Sequence, residues 1–187
     1  MNTIEKVPSD IWLNVAGKSL THVSTYRDAT GTPRGYVARY DDDEDKTFRP
    51  YFNRSGEKWL PGHPKDILRP LYGMQHRAQQ EDGDTLFIVE GEKQVDALHR
   101  LGQLAVTSPG GAMAANKADW SAIGEFAQVI ILPDNDDPGR TYASKVVECL
   151  SENSDIGCIK IAELPNLPKN GDVVDYIQQR LPDWDGI

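Results

Sequence analysis

The chain has 187 residues, of which 39% are hydrophobic and 26% are charged, which is normal for one globular domain with a small extension. The net charge of -9 argues against a strong, autonomous nucleic-acid binder, because contacts to phosphates need Lys and Arg. No apolar run is long enough to span a bilayer and the N-terminus lacks the apolar core of a secretory signal, so we expect a cytoplasmic protein without membrane contact. Two cysteines and four histidines without ligand spacing make a structural zinc site within this chain unexpected.

Short strand-like segments separated by glycine and proline turns occupy the first part of the chain, at residues 22–27, 35–40 and 47–52. Their spacing predicts a small antiparallel sheet. Basic residues stand among aromatic ones around the dense acidic block of residues 41–45. The basic residues are Arg39, Lys46, Arg49 and Lys58. They either grip single-stranded nucleic acid by charge and stacking or belong to ordinary sheet surface.

The pattern changes after a polar connector at residues 78–84, and strands then alternate with helices. The strands are predicted at residues 86–89, 105–107, 129–132 and 158–161, and the helices at residues 92–101, 119–126, 138–150 and 172–180. Such alternation indicates a parallel sheet with right-handed crossovers. We therefore predict an α/β fold with about four parallel strands flanked by helices over residues 81–187. A small β-rich subdomain over residues 1–80 precedes it.

Acidic residues follow two of the predicted parallel strands. Glu90 ends the first strand, and Asp134 and Asp136 end the third. The carboxyl ends of parallel strands meet at one edge of the sheet, where ligands bind. Carboxylates gathered there repel one another unless a cation joins them, and hard oxygen ligands completed by substrate phosphates suit Mg²⁺ or Mn²⁺. Metal-assisted phosphoryl transfer is the first expectation, although Glu90 also suits a helix N-terminus and Asp-x-Asp is common in turns.

Three further acidic residues start helices or adjoin their starts. Asp137 precedes Pro138 and is predicted to cap the helix that follows. Asp172 lies at the start of the last helix, where it either extends the acidic site or caps the helix, with Asp175 in the first turn.

Glycines and basic residues near the same strand ends are candidates for phosphate contacts. Gly110 and Gly111 end the loop after the second parallel strand and either present backbone N–H groups to a phosphate or form only a turn. Lys93 and Arg140 either contact a nucleotide phosphate or balance the neighbouring acids.

The order of these motifs resembles the Toprim domain, which is shared by bacterial-type primases, topoisomerases and some nucleases. Glu-Gly-Glu-Lys at residues 90–93 and Asp-Asn-Asp-x-x-Gly-Arg at residues 134–140 are similar to the motifs of Toprim primases from phages, plasmids and other mobile elements. The N-terminal half is similar as well, for example at Arg69-Pro-Leu-Tyr72. Gln94 departs from the pattern, since related primases often have another acid there. The zinc-binding domain and helicase that often accompany such primases are not recognised in this sequence.

The resemblance implies roles for the acidic residues. Glu90 is expected to be the general acid/base or a carboxylate that organises the metal. Asp134 and Asp136 are expected to hold Mg²⁺ or Mn²⁺, with Asp172 near by.

The implied activity is RNA primer synthesis from nucleoside triphosphates on single-stranded DNA, in replication of a phage or mobile element. A replicative helicase or a zinc-binding primase domain would be supplied elsewhere. Two alternatives stay open at this point: a metal-dependent nuclease on the same fold, and a non-catalytic module that binds nucleic acid or a replication partner.

Overall fold

A computed structural model describes residues 7–53, 58–63, 65–79, 85–151 and 155–184, without the side chains of residues 78 and 79. The first part is an antiparallel sheet with strand order β1-β2-β3-β4-β5. Its strands are β1 (Asn14–Val15), β2 (Lys18–Arg27), β3 (Pro33–Asp41), β4 (Lys46–Asn53) and β5 (Trp59–Pro61). The three segments predicted from the sequence lie inside β2, β3 and β4.

One face of this sheet forms a small core of its own. Tyr36, Ala38 and Tyr40 alternate along β3 on this face, and Ile11 and Val15 cover them from the N-terminal side. The hydroxyl of the buried Tyr40 lies 2.9 Å from the Trp12 carbonyl and 2.8 Å from the hydroxyl of Tyr51, which satisfies its polar tip. Alternation with a period of two thus places these side chains on one face, whereas Val37 and Arg39 lie on the other.

The second part is a four-stranded parallel sheet, as the sequence predicted, and its strand order is β7-β6-β8-β9. Its strands are β6 (Thr85–Ile88), β7 (Ala105–Val106), β8 (Gln128–Ile131) and β9 (Ile159–Ile161). The helices are α1 (Glu92–Arg100), α2 (Asp137–Leu150) and α3 (Val173–Arg180). Within the described residues no helix has the length and apolar character to cross a membrane.

The helix predicted over residues 119–126 is instead a short 3-10 helix, Trp120–Ile123. It follows two others, Gly111–Met113 and Ala115–Lys117. Gly124 has φ 74° and ψ -145°, which no helix accommodates, so the turn ends there. Indole and aliphatic side chains of this segment nevertheless pack into the core beneath the sheet, through Trp120 and Ile123.

Apolar side chains cover both faces of the parallel sheet. Ile88 and Ile131 point to the face that α2 covers with Tyr142 and Val146. The opposite face carries α1 and α3, whose buried residues Val95, Leu98, Val174 and Ile177 form a second cluster. Strands buried on both faces read as continuous apolar runs, which is why their periodicity is weak in the sequence.

The two sheets share contacts around α1. Tyr26 of β2 is fully buried in the cluster of α1 and α3, and its hydroxyl donates to Glu92 at 2.7 Å. Tyr72 donates in the same way to Asp96 at 2.8 Å. The division at residue 80 stays a prediction, and Leu71, which precedes it, packs into the core of the parallel sheet.

The strand order reverses between β6 and β8. From β6 the chain crosses through α1 to β7 on one side, whereas β8 pairs with β6 on the other. A crevice opens at such a switch point, outside the carboxyl ends of the strands, and ligands of α/β sheets bind there.

Candidate active site

The two acidic strand ends meet at this switch point. Glu90 lies just beyond β6, and its Oε1 accepts a hydrogen bond from the backbone N–H of Asp134, just beyond β8, at 3.2 Å. Gly91 then begins α1 with extended backbone and no side-chain cap. The predicted convergence of Glu90 with the Asp-x-Asp segment is therefore present in the structure.

Asp136 is the N-cap of α2. Its backbone is extended, with φ -152°, and its Oδ1 accepts from the N–H of Gly139 at 2.7 Å. The prediction that Asp137 caps this helix is wrong, because Asp137 is already the first helical residue and Pro138 is the second. Proline suits the first turn, where its missing N–H is no loss.

Gly139 allows the close approach of α2 to both acidic segments. A Cβ atom at this position would lie 2.3 Å from the carbonyl oxygen of Asp134 and 2.7 Å from Oε1 of Glu90. Real Cβ atoms do not approach backbone oxygens so closely, so only glycine fits without movement. The sequence analysis gave Gly139 no role, although the Asp-x-x-Gly pattern carried the signal.

The loop before α3 is fastened to the Asp-x-Asp segment through Asn135. The side-chain amide of Asn135 donates to the carbonyls of Leu167 at 3.0 Å and Pro168 at 2.9 Å. The backbone N–H of Asn135 donates to Gly171 at 2.8 Å. These bonds bring Asp172, which follows directly, to the acidic edge.

Asp172 caps α3. Its Oδ1 accepts from the N–H groups of Val174 at 2.6 Å and Asp175 at 3.2 Å, and Asp175 returns the bond to the N–H of Asp172 at 2.9 Å. This reciprocal capping box accounts for Asp172 structurally. Its role as a metal ligand stays a prediction.

Gln94 lies in the middle of the acidic edge with only 5% of its surface exposed. Its Nε2 donates to Oδ1 of Asp134 at 2.9 Å and reaches Oδ2 of Asp172 at 3.5 Å. Its Oε1 accepts from the N–H of Glu90 at 3.4 Å. Gln94 thus contacts Glu90, Asp134 and Asp172, and of the four acids only Asp136 is not hydrogen-bonded to it. The sequence analysis did not predict these contacts.

Burial raises the pKa of Glu90 to about 7, and the negative charges of Asp134 and Asp136 add to the shift. Burial likewise raises the pKa of Asp134 to about 6, with further contributions from the charges of Asp172, Asp136 and Asp175. The hydrogen bond from Gln94 opposes the shift at Asp134. These carboxylates are crowded and lack a neutralising cation partner among the described residues, so a bound cation would relieve their repulsion.

The donor chemistry of this edge fits a hard divalent cation. Glu90, Asp134 and Asp136 each keep one carboxylate oxygen without a hydrogen bond from the described residues. Within the described chain, however, no group of three or more acidic, His or Cys side chains is arranged to hold an ion. A cation would therefore need adjustment of these side chains, or oxygen ligands from water and substrate phosphates.

The Gly-rich loop lies at the same edge, directly after β7. Gly110 and Gly111 have φ values of 94° and 60°, which favour glycine. The hydroxyl of the buried Tyr142 lies 3.2 Å from Oγ of Ser108, and the ammonium of Lys145 donates to the Ala112 carbonyl at 2.9 Å. Because both side chains come from α2, one helix positions the loop and also begins at the Asp-x-Asp segment.

The predicted phosphate-binding cations differ in their surroundings. The guanidinium of Arg140 pairs with Asp137 at 2.6 Å and lines an open depression of about 330 Å³ together with Asp136 and Lys169. Lys93 is exposed in the first turn of α1. The sequence analysis named Arg69 only within a similar segment and gave it no role, but its guanidinium donates to the carbonyl of Pro109 in the Gly-rich loop at 3.4 Å.

The four predicted nucleic-acid contacts do not form one surface. Arg39 pairs across the sheet with Phe48, and Lys46 with Asp41, so Arg39 and Lys46 share one face. Arg49 lies on the opposite face, over the ring of Trp12 at 5.3 Å. Lys58 is exposed before β5. Successive side chains of a strand point to opposite faces. Arg39 is paired with Phe48 and Arg49 with Ala38, so Arg39 and Arg49 lie on opposite faces of the sheet.

Comparisons with known proteins agree with this architecture. Residues 85–164 match the model of the Toprim domain. Among curated proteins, none matches the chain.

Solved primase structures share the fold at 20–24% sequence identity. The DnaG primase catalytic domain bound to ssDNA is 24% identical with a TM-score of 0.54, over 84% of this chain and 48% of its own. A DNA primase domain from Pseudomonas aeruginosa is 20% identical with a TM-score of 0.56, over 83% and 46%. The zinc-binding and RNA polymerase domains of the Aquifex aeolicus primase are 21% identical with a TM-score of 0.55, over 87% and 37%. The chain thus spans less than half the length of each.

Proposed function

From the Toprim domain that residues 85–164 form, we propose that this chain is a primase-type nucleotidyltransferase that synthesises RNA primers on single-stranded DNA. One observation carries the proposal: the N–H of Asp134 donates to Glu90 at the switch point, so the acidic ends of β6 and β8 form one site. The fold shared with primase catalytic cores supports the reaction class.

The acidic residues have distinct tasks in this proposal. Asp134 and Asp136 hold Mg²⁺ or Mn²⁺, with Asp172 at the margin of the site. Such an ion, when bound, neutralises the triphosphate and stabilises the charge that develops during in-line displacement. Glu90, with its pKa raised to about 7, accepts the proton of the attacking 3′-hydroxyl group. That proton transfer converts the hydroxyl into a nucleophile for the α-phosphate, and pyrophosphate leaves.

Backbone N–H groups and cations around the acidic edge bind the phosphates. Gly110 and Gly111 offer N–H groups from the loop after β7, and Lys93 and Arg140 add positive charge at the starts of α1 and α2. Helix N-termini favour anions for the same reason. Arg140 would have to exchange its contact with Asp137 for a phosphate oxygen.

The template and partner proteins belong to the same proposal. Single-stranded DNA contacts the exposed face of the N-terminal sheet through Arg39 and Lys46, and nucleoside triphosphates enter at the acidic edge. A zinc-binding primase domain or a replicative helicase is the proposed protein partner, and the similar Aquifex aeolicus primase structure contains zinc-binding and RNA polymerase domains. The resemblance to mobile-element and phage primases supports replication of such an element as the setting. Lys58, which is exposed before β5, is a secondary contact to the DNA.

Primer synthesis on single-stranded DNA tests the proposal directly. The purified chain is incubated with template, labelled ribonucleoside triphosphates and Mg²⁺ or Mn²⁺, and the products are separated by length. We expect oligoribonucleotides from the wild type and none from Asp134→Ala. Asp42→Ala removes an acid of the N-terminal sheet and is the matched control, which keeps its products. Equal synthesis by Asp134→Ala and the wild type would overturn the assignment.

The non-catalytic module is the second candidate, because the described residues hold no group of three ligands arranged for an ion. Single-stranded DNA binding that is equal in the wild type and the Asp134→Ala/Asp136→Ala double variant, with no primers from either, favours this candidate. Cleavage of labelled DNA in the same tubes would instead identify the nuclease alternative, in which the acids orient water.

A further inference from the structure

Gln94 divides the acidic edge into two halves that differ in free carboxylate oxygens: one is formed by Glu90, Asp134 and Asp136, and the other lies between Asp134 and Asp172. Its amide nitrogen donates to Oδ1 of Asp134 and to Oδ2 of Asp172. Because the other oxygen of Asp172 caps α3, both carboxylate oxygens of Asp172 are engaged. Asp134, by contrast, keeps its Oδ2 without a hydrogen bond from the described residues.

The amide of Gln94 binds the carboxylate oxygens of Asp134 and Asp172, as a cation between them would. An NH₂ group has two N–H donors and no charge, so it joins two carboxylates without neutralising them. Its third contact, from the N–H of Glu90 to Oε1, fixes which end of the amide faces the two aspartates. With 5% of its surface exposed, Gln94 is covered by protein and its amide is directed at these partners and away from solvent.

We propose that Gln94 is a positioning residue that limits the acidic edge to one divalent cation, held by Asp134 and Asp136 beside Glu90 with oxygen ligands from water or phosphate completing its shell. The half between Asp134 and Asp172 is closed to a second ion, because N–H donors fill the position where an ion would need oxygen ligands. This inference rests on the proposed function, since it specifies how many ions the same edge binds. It concerns this chain in particular, in which an amide stands where related primases often have an acid.

An acid at position 94 should open the closed half. Gln94→Glu replaces the N–H donors by a third carboxylate beside Asp134 and Asp172, and three carboxylates are a suitable ligand set for a hard divalent ion. Without an ion, the added charge should lower the melting temperature. With an ion, that loss should be recovered.

The test measures the number of Mn²⁺ ions bound by the full chain, from the loss of the free-ion signal in electron paramagnetic resonance. We expect one ion in the wild type and two in Gln94→Glu. Gln103→Glu is the matched control. Gln103 is exposed just beyond the C-terminal end of α1, so this substitution adds the same charge away from the site. It should bind one ion. The Gln94→Glu/Asp172→Asn double variant restores the wild-type charge and should return to one ion.

Melting temperatures in EDTA and in Mn²⁺ provide a second readout that does not depend on activity. Recovery by Mn²⁺ should be larger in Gln94→Glu than in the wild type, and unchanged in Gln103→Glu. Two ions in the wild type, or one ion in a folded Gln94→Glu variant, would overturn the role of Gln94 while leaving the proposed function intact. Absence of bound Mn²⁺ in both proteins would overturn the inference together with the metal dependence of primer synthesis. If Gln94→Glu does not fold, the number of Mn²⁺ ions bound by the wild type still tests the proposal, because two ions would contradict it.

Discussion

Two acidic regions of the molecule have opposite electrostatic character. In the N-terminal sheet, the hydrogen bond from Lys18 and the backbone N–H groups of Glu44 and Asp45 lower the pKa of Asp42 to about 2. The pKa of Asp28 is lowered to about 2 as well, chiefly by the hydrogen bond from the hydroxyl of Thr30. At the carboxyl edge of the parallel sheet, burial and neighbouring charges instead raise the pKa values of Glu90 and Asp134.

The two regions differ in pKa because their carboxylates differ in hydrogen-bond donors and in contact with solvent. The number of acidic residues close together in the sequence does not predict this difference. Residues 41–45 are five consecutive acids, yet residues 42–45 are exposed, and Lys18 and the N–H groups of Glu44 and Asp45 satisfy the carboxylate of Asp42. Glu90 and Asp134 are 44 residues apart and become crowded only through the fold. Acids that already have partners stabilise a turn, whereas buried acids without them are suited to bind a cation.

The largest expected effect separates the two regions by activity. Glu90→Gln removes the proposed proton acceptor while keeping its shape, and we expect primer synthesis to fall by about 10² to 10⁴-fold. Asp42→Asn removes a carboxylate of the turn and should leave the rate unchanged. Initial rates at saturating nucleotide measure both. Comparable rates for Glu90→Gln and Asp42→Asn would remove the functional distinction between the regions.

Gly139→Ala tests whether close packing creates the crowded site. The added Cβ would meet the carbonyl of Asp134 at 2.3 Å, so α2 must shift away from the strand ends. Overpacking of this kind costs about 2 kcal/mol of unfolding free energy, measured by urea denaturation.

Gly91→Ala is the matched control, because its Cβ would meet nothing closer than Nε2 of Gln94 at 3.8 Å. Loss of an N-cap glycine should cost about 0.5–1 kcal/mol. The two costs should therefore differ clearly, and equal costs would argue against the close approach seen at Gly139.

The pH dependence of stability should have opposite signs in the two regions. Glu90 and Asp134 have raised pKa values of about 7 and 6, so between pH 4.5 and 7 the folded state retains protons that the unfolded state releases. Stability from this edge is therefore present at low pH and is lost as the pH rises through that window, by at most roughly 3 kcal/mol for each carboxyl. Asp134→Asn should flatten this decrease in metal-free denaturation curves.

Asp28 provides the opposite case. Its folded pKa of about 2 lies below the ordinary value, so its contribution is present above pH 4 and is lost as the pH falls toward 2. Asp28→Asn should therefore lower stability above pH 4 and flatten the decrease between pH 4 and pH 2. A decrease between pH 4.5 and 7 that is the same in Asp134→Asn and the wild type would contradict the assignment of raised pKa values.

The smallest expected effect concerns the exposed face of the N-terminal sheet. Arg39→Ala/Lys46→Ala should weaken binding of single-stranded DNA several-fold at low salt and reduce the salt dependence, with a slope change of about 0.7 for each lost phosphate contact. The effect is small because Arg39 already pairs with Asp41 at 2.9 Å. Arg49→Ala, on the opposite face, is the control for loss of charge, and fluorescence anisotropy in increasing salt measures each variant. An identical slope in all three proteins would exclude this face as the binding surface.

Several features could be predicted from the sequence because they depend on local pattern. The β-branched runs before Glu90 and Asp134, the switch to helical spacing and the proline at residue 138 indicate a parallel sheet and the edge where its acids lie. The motif order at residues 90–93 and 134–140 identifies the Toprim resemblance, which the domain match over residues 85–164 confirms.

Other features depend on which segments meet, and only the tertiary structure decided them. The bridge from Gln94 to Asp134 and Asp172 joins positions 40 and 78 residues apart, so no local pattern reports it. The choice of Asp136 over Asp137 as helix cap depended on backbone dihedrals that either residue can adopt. Arg39 and Arg49 were separated onto opposite faces by strand register. Local chemistry therefore determined the kinds of elements and the acids at their ends, whereas long-range packing determined which of those acids are crowded and which are already partnered.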